Sequence, residues 1–308
     1  MKIPRIGILG GVNILLLGSV PAWAADYVAP VDVCAVSDVN GKIHGQGGSY
    51  ESDESDGSQF QGVGSLSFPL GCMFGAQIDA GAGKFGDFDA FGIGAHLFMR
   101  DPTSYLVGIH ATYENWDLDV LGDDVSVWRV GPEVELYFAN ISLEAWAGFQ
   151  DGDDNVDSSF FARLTVAFYA TENLRLAGSF RQSDDFTSGA ITGEWQLSSL
   201  PLSLTAEAEF GEDDFTSILG GVKIYFGGST DSLIDRHRYD DPDDGLFNFA
   251  GSASSFGAAP QAGECEDGSV TDECCADSTV EDGCCTDACC ADGVCEDEVL
   301  VPLTETLE

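Results

Sequence analysis

The feature that most constrains the fold is the alternation of apolar and polar side chains between residues 126 and 150. Apolar residues such as Trp128 and Val130 occupy one set of alternate positions, and charged residues such as Arg129 and Glu133 occupy the other. Because successive side chains of a β-strand point to opposite faces, this stretch predicts a hairpin with one apolar and one charged face. Such a hairpin suits either a water-soluble sandwich or a membrane barrel whose apolar face meets lipid.

The beginning of the chain indicates the compartment. Lys2 and Arg5 precede an apolar run at 6–20, and a small-residue cleavage site follows at 22–24. This is the pattern of a secretory signal peptide, so we expect residues 1–24 to be removed. No later stretch is apolar over the roughly 18 residues that a membrane-spanning helix requires. The sequence therefore predicts an exported protein and excludes a cytosolic enzyme.

Alternation recurs along the chain, and no segment shows a helical period. We predict an all-β fold, a transmembrane antiparallel β-barrel of about 12 strands. Each predicted strand is close to the ~9–11 residues that a tilted strand needs to cross a bilayer. The segments are 42–50, 59–69, 73–83, 90–100, 105–114, 126–138, 141–150, 158–170, 174–182, 187–197, 202–210 and 215–226.

The predicted connections are of two alternating kinds. One set is short and mostly uncharged, as at 139–140 and 171–173, whereas the other is acidic and generally longer, as at 51–57 and 115–125. Outer-membrane barrels have short periplasmic turns and longer extracellular loops. An even strand number also places both barrel ends in the periplasm. These features favour the membrane barrel and predict the outer membrane of a Gram-negative bacterium as its location.

The predicted inward face carries the charges of the strands. The opposite face is apolar, as hydrocarbon requires, since a basic side chain facing lipid costs roughly 2–4 kcal/mol. Aromatic residues near outward strand ends, including Trp128 and Trp195, suit the membrane interfaces. The charges predicted to line the lumen are Lys42, Asp79, Arg100, Glu114, Arg129, Glu133, Glu135, Glu144, Arg163, Arg175, Arg181, Glu194, Glu207, Glu209 and Lys223.

Approximate strand pairing predicts contacts among these lumen charges, because opposite charges on neighbouring strands stabilise a sheet. The expected contacts are Arg129 with Glu114, Arg163 with Glu144, Arg175 with Glu194, and the like-charge pairs Glu135 with Glu144 and Glu194 with Glu207.

Two histidines flank one predicted short turn. Antiparallel pairing across residues 101–104 would place His96 opposite His110 inside the barrel. With Glu114 nearby, two facing imidazoles could ligate a transition metal. Histidines bonded to neighbouring carboxylates are the commoner arrangement.

Composition divides the chain into four parts. These are the signal peptide (1–24), a periplasmic lead-in (25–40), the barrel (41–226) and a C-terminal tail (227–308). The tail is rich in Gly, Ser and Asp, lacks periodicity, and has no Lys or Arg after Arg238. Such a segment has too little apolar surface to pack, so we predict a disordered periplasmic tail.

The ten cysteines fall into two groups. Cys34 and Cys72 lie at the same predicted end of the barrel in an oxidising compartment, so they are candidates for a disulfide. The other eight lie in the tail. They are candidates for disulfides or for a soft metal ion such as zinc or copper(I), and composition without a function is the third alternative. They are Cys265, Cys274, Cys275, Cys284, Cys285, Cys289, Cys290 and Cys295.

Acidic residues dominate the chain. A net charge of −41 leaves few cations to neutralise phosphates and argues against a nucleic-acid partner. Residues 151–157 resemble part of a calcium loop but lack its central Gly and terminal Glu. Weak binding of Ca²⁺ or Mg²⁺ at the acidic loops is one interpretation, and a merely solvated rim is the other. No phosphate loop, G-x-S-x-G or H-E-x-x-H motif occurs, so we expect no catalysis.

The last predicted strand reads G-G-V-K-I-Y-F, with Gly221, Ile224 and Phe226 spaced like the terminal signal of barrels that enter the outer membrane. The barrel and the following S-L-I-D-R-H-R-Y-D-D-P (232–242) resemble a family of alphaproteobacterial outer-membrane porin-like β-barrel proteins. The resemblance covers about residues 25–245 and implies contact with the outer-membrane insertion machinery, membrane lipid and lipopolysaccharide. The family has no settled activity, and the Cys-rich extension departs from its pattern.

The strand number sets the expected function. Twelve strands enclose more than a filled eight-stranded barrel and less than a sixteen-stranded porin. We therefore expect a narrow porin-like channel for passive diffusion of ions or small polar solutes. The alternative is a structural or interaction protein whose Cys-rich tail binds metal or a periplasmic partner. Nothing in the residues specifies the solute or the oligomeric state.

Overall fold

A computed structural model of the chain is a closed antiparallel β-barrel of twelve strands, as predicted. The structure describes residues 34–52, 56–86, 88–118, 123–152, 156, 158–183, 186–197, 200–227, 232–249, 280–281 and 284–285. Each strand pairs with its neighbours in sequence, and β1 closes the barrel against β12. The strands are β1 (Asn40–Glu51), β2 (Asp56–Leu70), β3 (Phe74–Phe85), β4 (Phe88–Asp101), β5 (Tyr105–Leu118), β6 (Asp123–Phe138), β7 (Ile141–Gly152), β8 (Ser159–Thr171), β9 (Leu174–Ser183), β10 (Phe186–Gln196), β11 (Leu202–Gly211) and β12 (Thr216–Gly227).

The barrel has two rims. The short-turn rim carries both barrel ends and the connections 71–73, 102–104, 139–140, 172–173 and 197–201. The acidic rim carries the connections 52–55, 86–87, 119–122, 153–158, 184–185 and 212–215.

Several strands extend further than predicted at the acidic rim. β5 continues to Leu118 and β6 begins at Asp123, so the predicted loop at 115–125 shrinks to residues 119–122. The two kinds of connection therefore differ less in length than expected, although the difference in charge remains. The polar strand ends lack the apolar alternation by which the sequence reveals a strand, but their backbones still pair.

The largest departure from the sequence analysis is residues 232–249, here called the plug segment. A short helix, α1 (Leu233–Asp235), continues into a π-helical turn, Arg236–Asp240, and an irregular stretch follows to Phe249. Most of the segment is buried inside the barrel. The prediction of a disordered tail is wrong for these residues, because the lumen wall supplies partners for their charges and aromatic rings. No helix among the described residues is long and apolar enough to cross a membrane.

The rest of the tail lies mostly outside the described residues. A hairpin of two short strands, β13 (Val280–Glu281) and β14 (Cys284–Cys285), is the described part. The predicted signal peptide and residues 25–33 also lie outside the described residues.

The chain just before β1 closes part of the short-turn rim. Cys34 and Cys72 form a disulfide with their Cα atoms 4.3 Å apart. Val36 is buried inside this end of the barrel against Phe98. The backbone N–H of Ser37 donates to the carbonyl of Tyr239 at 2.9 Å, which joins the lead-in to the plug segment.

Candidate functional site

The candidate functional site is the barrel lumen. All fifteen charges predicted to line it are buried or half-buried. Five ion pairs of arginine and lysine connect parts of the described wall. They are Arg129–Glu114 and Arg181–Glu207, each at 3.2 Å, and Arg175–Glu144, Arg181–Glu209 and Lys223–Glu194, each at 2.8 Å.

Two of the predicted contacts are present. Arg129 pairs with Glu114, and Glu135 lies directly opposite Glu144 in the register of β6 and β7. The like charges of the second pair are relieved by other partners, since Glu135 accepts a hydrogen bond of 2.7 Å from Tyr137 Oη and Glu144 has its own arginine.

The other three predicted contacts have mixed outcomes. Arg175 lies directly opposite Glu194 in the register of β9 and β10, as predicted, but its side chain pairs with Glu144 because Lys223 on β12 occupies Glu194. Glu194 lies opposite Thr205 rather than Glu207, and Glu207 binds Arg181.

The predicted contact of Arg163 with Glu144 is wrong, since Arg163 instead binds the plug segment. This error follows directly from the unpredicted plug, which brings additional acids into the lumen.

Two arginines hold the base of the plug segment at the short-turn rim. Arg238 donates to the backbone carbonyls of Ala139 and Ile141 at 2.8 and 3.0 Å. Arg236 donates to Gln196 Oε1 at 3.2 Å. Because charge-assisted hydrogen bonds are stronger than neutral ones, these contacts fix the point at which the plug enters the barrel.

His237 binds between two tyrosines at the same level. Its Nδ1 lies 2.9 Å from Tyr169 Oη, and its Nε2 lies 3.1 Å from Tyr225 Oη. Burial holds the pKa of His237 well below its usual value of 6.5, so the ring is neutral at neutral pH. A neutral imidazole has one donor and one acceptor nitrogen, and the two hydroxyls satisfy both.

Ion pairs hold the middle of the plug segment. Lys42 Nζ lies 2.6 Å from Asp241 Oδ2 and donates to the carbonyl of Pro242 at 2.6 Å. On the other side of the lumen, Arg163 donates to Asp243 at 2.5 Å. The plug is thus bound to opposite sides of the wall at one level.

The upper part of the plug segment is aromatic. Phe247 packs against Phe85 and Trp116, with ring centroids 5.7 and 6.0 Å apart. Phe249 packs against Trp146 at 6.1 Å. Because Phe85 and Trp116 lie near the acidic ends of their strands, the plug runs from the short-turn rim into the acidic half of the barrel.

A polar cavity of about 100 Å³ remains beside the plug segment. Basic and acidic groups both line it, including Arg181, Glu207 and Lys223 from the wall. Asp243 and Asn248 of the plug segment form another side. Any widening of this space into a continuous passage therefore requires the plug to move.

The two facing histidines are present as predicted. His96 lies opposite His110 in the register of β4 and β5, and their rings stack with centroids 3.6 Å apart. Glu114, the expected third group, is instead paired with Arg129. Two other carboxylates lie beside the histidines: Asp79 Oδ2 is 3.2 Å from His96 Nε2, and Glu133 Oε2 is 2.8 Å from His96 Nδ1.

The plug segment is the functional element that sequence reasoning missed. Two signals for it were available. Arg236 and Arg238 are isolated cations within a strongly acidic region, and residues 246–249 read L-F-N-F in an otherwise polar tail. Both features favour a partner surface over solvent, and the barrel lumen provides that surface.

The remaining predicted sites fall partly outside the described residues. The side chains of the eight tail cysteines lie there, so their metal and disulfide alternatives stay predictions. In the calcium-like stretch, Asp151 Oδ1 accepts hydrogen bonds from the Gly152 N–H and Ser158 Oγ at 3.1 and 2.8 Å. Residues 153–155 and 157 lie outside the described residues.

No protein-family profile and no curated protein sequence matches the chain. Among solved structures, the KdgM porin in complex with disordered oligogalacturonate matches 60% of this chain and 99% of its own, with 8% identity and a TM-score of 0.47. Omp33 of Acinetobacter baumannii matches 62% and 99%, with 12% identity and a TM-score of 0.41. Outer membrane phospholipase A of Escherichia coli matches 61% and 92%, with 14% identity and a TM-score of 0.41. The similar structures include both porins and an enzyme.

Proposed function

We propose that the chain is an outer-membrane protein whose twelve strands cross the bilayer. Large apolar side chains cover the outside of the barrel, and Ile43, Phe149 and Ile191 are 57%, 67% and 67% exposed. Soluble proteins rarely expose apolar surface on this scale. A closed barrel also leaves no strand edge unpaired, as hydrocarbon demands. Lipid, lipopolysaccharide at the acidic rim and the outer-membrane insertion machinery are the partners that follow.

The proposed activity is a narrow channel for passive diffusion of ions or small polar solutes, closed by its own plug segment. The observation that carries this proposal is the pair of contacts Lys42–Asp241 and Arg163–Asp243, which bridge wall and plug. Polar contacts of this kind can be exchanged for water when the plug leaves its position, whereas the aromatic contacts of Phe247 and Phe249 favour the closed state. Acidic and basic groups line the lumen together, which favours weak charge selectivity.

Single-channel recording in planar bilayers tests the proposal. The full chain should remain closed most of the time. The double variant Asp241→Asn/Asp243→Asn should open at least about tenfold more often, because a loss of only about 1.4 kcal/mol in plug binding changes the equilibrium by that factor. The matched control is Asp213→Asn/Asp214→Asn, which removes the same two charges from exposed positions on the acidic rim.

The outcomes separate the candidate functions. Equal and continuous opening of all three proteins would show that the plug is not a gate. Absence of openings in all three would remove the channel and favour a structural or interaction protein. We propose no enzymatic role, since the sequence contains none of the catalytic motifs sought.

A further inference from the structure

Three potential metal ligands converge on neighbouring strands of the lumen wall. Asp79 on β3, His96 on β4 and His110 on β5 each contribute one donor atom, and the donors all lie within 4.8 Å of one another. The residues are 4%, 3% and 1% exposed. They lie across the barrel from the ion pairs of Arg175 and Arg181 on β9, as the strand order shows.

The converging atoms lack hydrogen-bond partners. Asp79 Oδ2, His96 Nε2 and His110 Nε2 are buried and make no hydrogen bond within the described part of the chain. Asp79 Oδ2 and His96 Nε2 are 3.2 Å apart, but their directions do not suit a hydrogen bond. A buried polar atom left unpaired costs about 1–3 kcal/mol, so the unpartnered His110 Nε2 beside the Asp79–His96 contact indicates a missing ligand.

The opposite sides of two of these ligands are already held. His96 Nδ1 lies 2.8 Å from Glu133 Oε2, and Gln77 Nε2 donates to Asp79 Oδ1 at 2.9 Å. A carboxylate bonded to Nδ1 keeps the proton there and leaves the Nε2 lone pair free, which is the usual arrangement behind a metal-bound histidine. Trp146 stacks on His110 with ring centroids 4.0 Å apart.

We infer that Asp79, His96 and His110 bind a divalent transition-metal ion. Two imidazoles and one carboxylate suit Zn²⁺, Co²⁺ or Ni²⁺ rather than Ca²⁺ or Mg²⁺, which prefer oxygen ligands alone. Tetrahedral ligands at about 2.0–2.1 Å from zinc are roughly 3.3 Å apart. The donors therefore need to approach each other by up to about 1.5 Å, with a rotation of the imidazole rings out of their stack.

The plug segment covers the site. A Cβ added at Gly245 would lie only 2.3 Å from His110 Cε1, so the plug backbone runs directly against this ligand. Bound metal would fix the His110 ring and with it the surface on which Gly245 rests. This inference concerns binding at the wall and does not depend on whether the lumen conducts.

Without metal, an ion cluster of His96 with its two carboxylates accounts for part of the geometry. A doubly protonated His96 could interact with both Glu133 and Asp79 as a simple ion cluster. That arrangement leaves His110 Nε2 without a partner, whereas a metal ion accounts for all three donors. The two alternatives make opposite predictions for metal titration.

Cobalt titration of the full chain, refolded in detergent, tests the inference. To exclude thiolate ligation, all eight tail cysteines are replaced by serine. One Co²⁺ per chain should bind and produce visible absorption bands, without the near-ultraviolet band of a cobalt–thiolate bond. Asp79→Asn and His110→Gln should each abolish these bands. Glu133→Gln should weaken binding about 10- to 100-fold, as expected for a positioning residue behind a ligand.

The matched control is His44→Gln. His44 faces the same lumen but is bonded to Thr205 Oγ1 at 3.0 Å and lies outside the cluster. Its variant should bind Co²⁺ like the parent protein, and circular dichroism should show the strand content of every variant unchanged. If the parent protein binds no Co²⁺, or if its bands survive in folded Asp79→Asn and His110→Gln, the inference is overturned.

Discussion

Lys42 on the first barrel strand and Asp241 in the plug segment form an ion pair of 2.6 Å whose side chains are 3% and 1% exposed. Both charges are removed from water, and Lys42 also donates to the backbone of Pro242. When one partner of a buried pair is lost, the other is left without compensation, and the cost is larger than the net contribution of the intact pair. This pair therefore makes plug binding depend on a single residue of β1.

Lys42→Met should weaken plug binding by about 3–5 kcal/mol, because Asp241 then remains buried without its cation. Lys42→Met/Asp241→Leu removes both charges and should recover most of that loss. Open probability in planar bilayers measures both effects. A double variant as leaky as the single one would show that the pair itself does not hold the plug.

Plug binding should also weaken in acid through His237. Its pKa is held well below the usual 6.5 in the docked plug by burial, and it returns to the usual value when the plug is released. Below pH 6.5, His237 of the released plug is protonated and must lose this proton when the plug docks. The contribution of neutral His237 to plug binding is therefore fully present above pH 6.5 and is lost as the pH falls below 6.5. The opening equilibrium should rise by at most about tenfold per pH unit.

Several charged groups face His237 and act on it in opposite directions. Glu194 favours its protonation, whereas Arg175, Lys223 and Lys42 oppose it. His237→Gln keeps a donor and an acceptor for the two tyrosines but cannot titrate. The conductance of this variant should therefore change less than that of the parent protein between pH 7.5 and 5. Identical pH profiles for the variant and the parent protein would exclude His237 as the responsible group.

The barrel could be predicted from the sequence because its determinants are local. A strand shows itself through a period of two residues, and the inward position of Arg129 follows from that period alone. The pairing of His96 with His110 was also predictable, since the short turn at 102–104 fixes the register of the strands on either side.

The plug segment could not be predicted in the same way. The contact of Asp243 with Arg163 joins residues 80 positions apart, and no periodicity links them. Its acidic residues suggested a solvated tail, because composition reveals the repulsion between like charges. Composition does not reveal which cations of the barrel wall lie close to them in the folded structure. The same gap explains Arg163, whose partner depends on which acids are within reach after the lumen is filled. For Arg175 the register with Glu194 was predictable, but the competition of Lys223 for that acid was not.

The disulfide between Cys34 and Cys72 should stabilise the closed short-turn rim. It joins residues 38 positions apart, and cross-links of this kind typically contribute about 2–4 kcal/mol. Cys34→Ser/Cys72→Ser should lower the free energy of unfolding by that amount in urea titrations from detergent micelles. Reduction of the parent protein should have the same effect, and the double variant should not respond to reductant. Equal stability of all forms would contradict the prediction.

The direction of the plug segment predicts the rim at which the chain continues beyond residue 249. Arg238 binds Ala139 at the short-turn rim, whereas Phe247 packs against Trp116 in the acidic half. If the acidic rim faces outward, as the loops of outer-membrane barrels do, the tail cysteines should be reached from the cell surface. This is the opposite of the periplasmic tail expected from the sequence.

Labelling of reduced intact cells with a membrane-impermeant maleimide measures this difference. The tail cysteines should react before the outer membrane is permeabilised. Thr103→Cys, in a chain whose tail cysteines are replaced by serine, places an exposed thiol on the short-turn rim and should react only afterwards. If the tail cysteines, like Thr103→Cys, react only after the outer membrane is permeabilised, the tail lies in the periplasm.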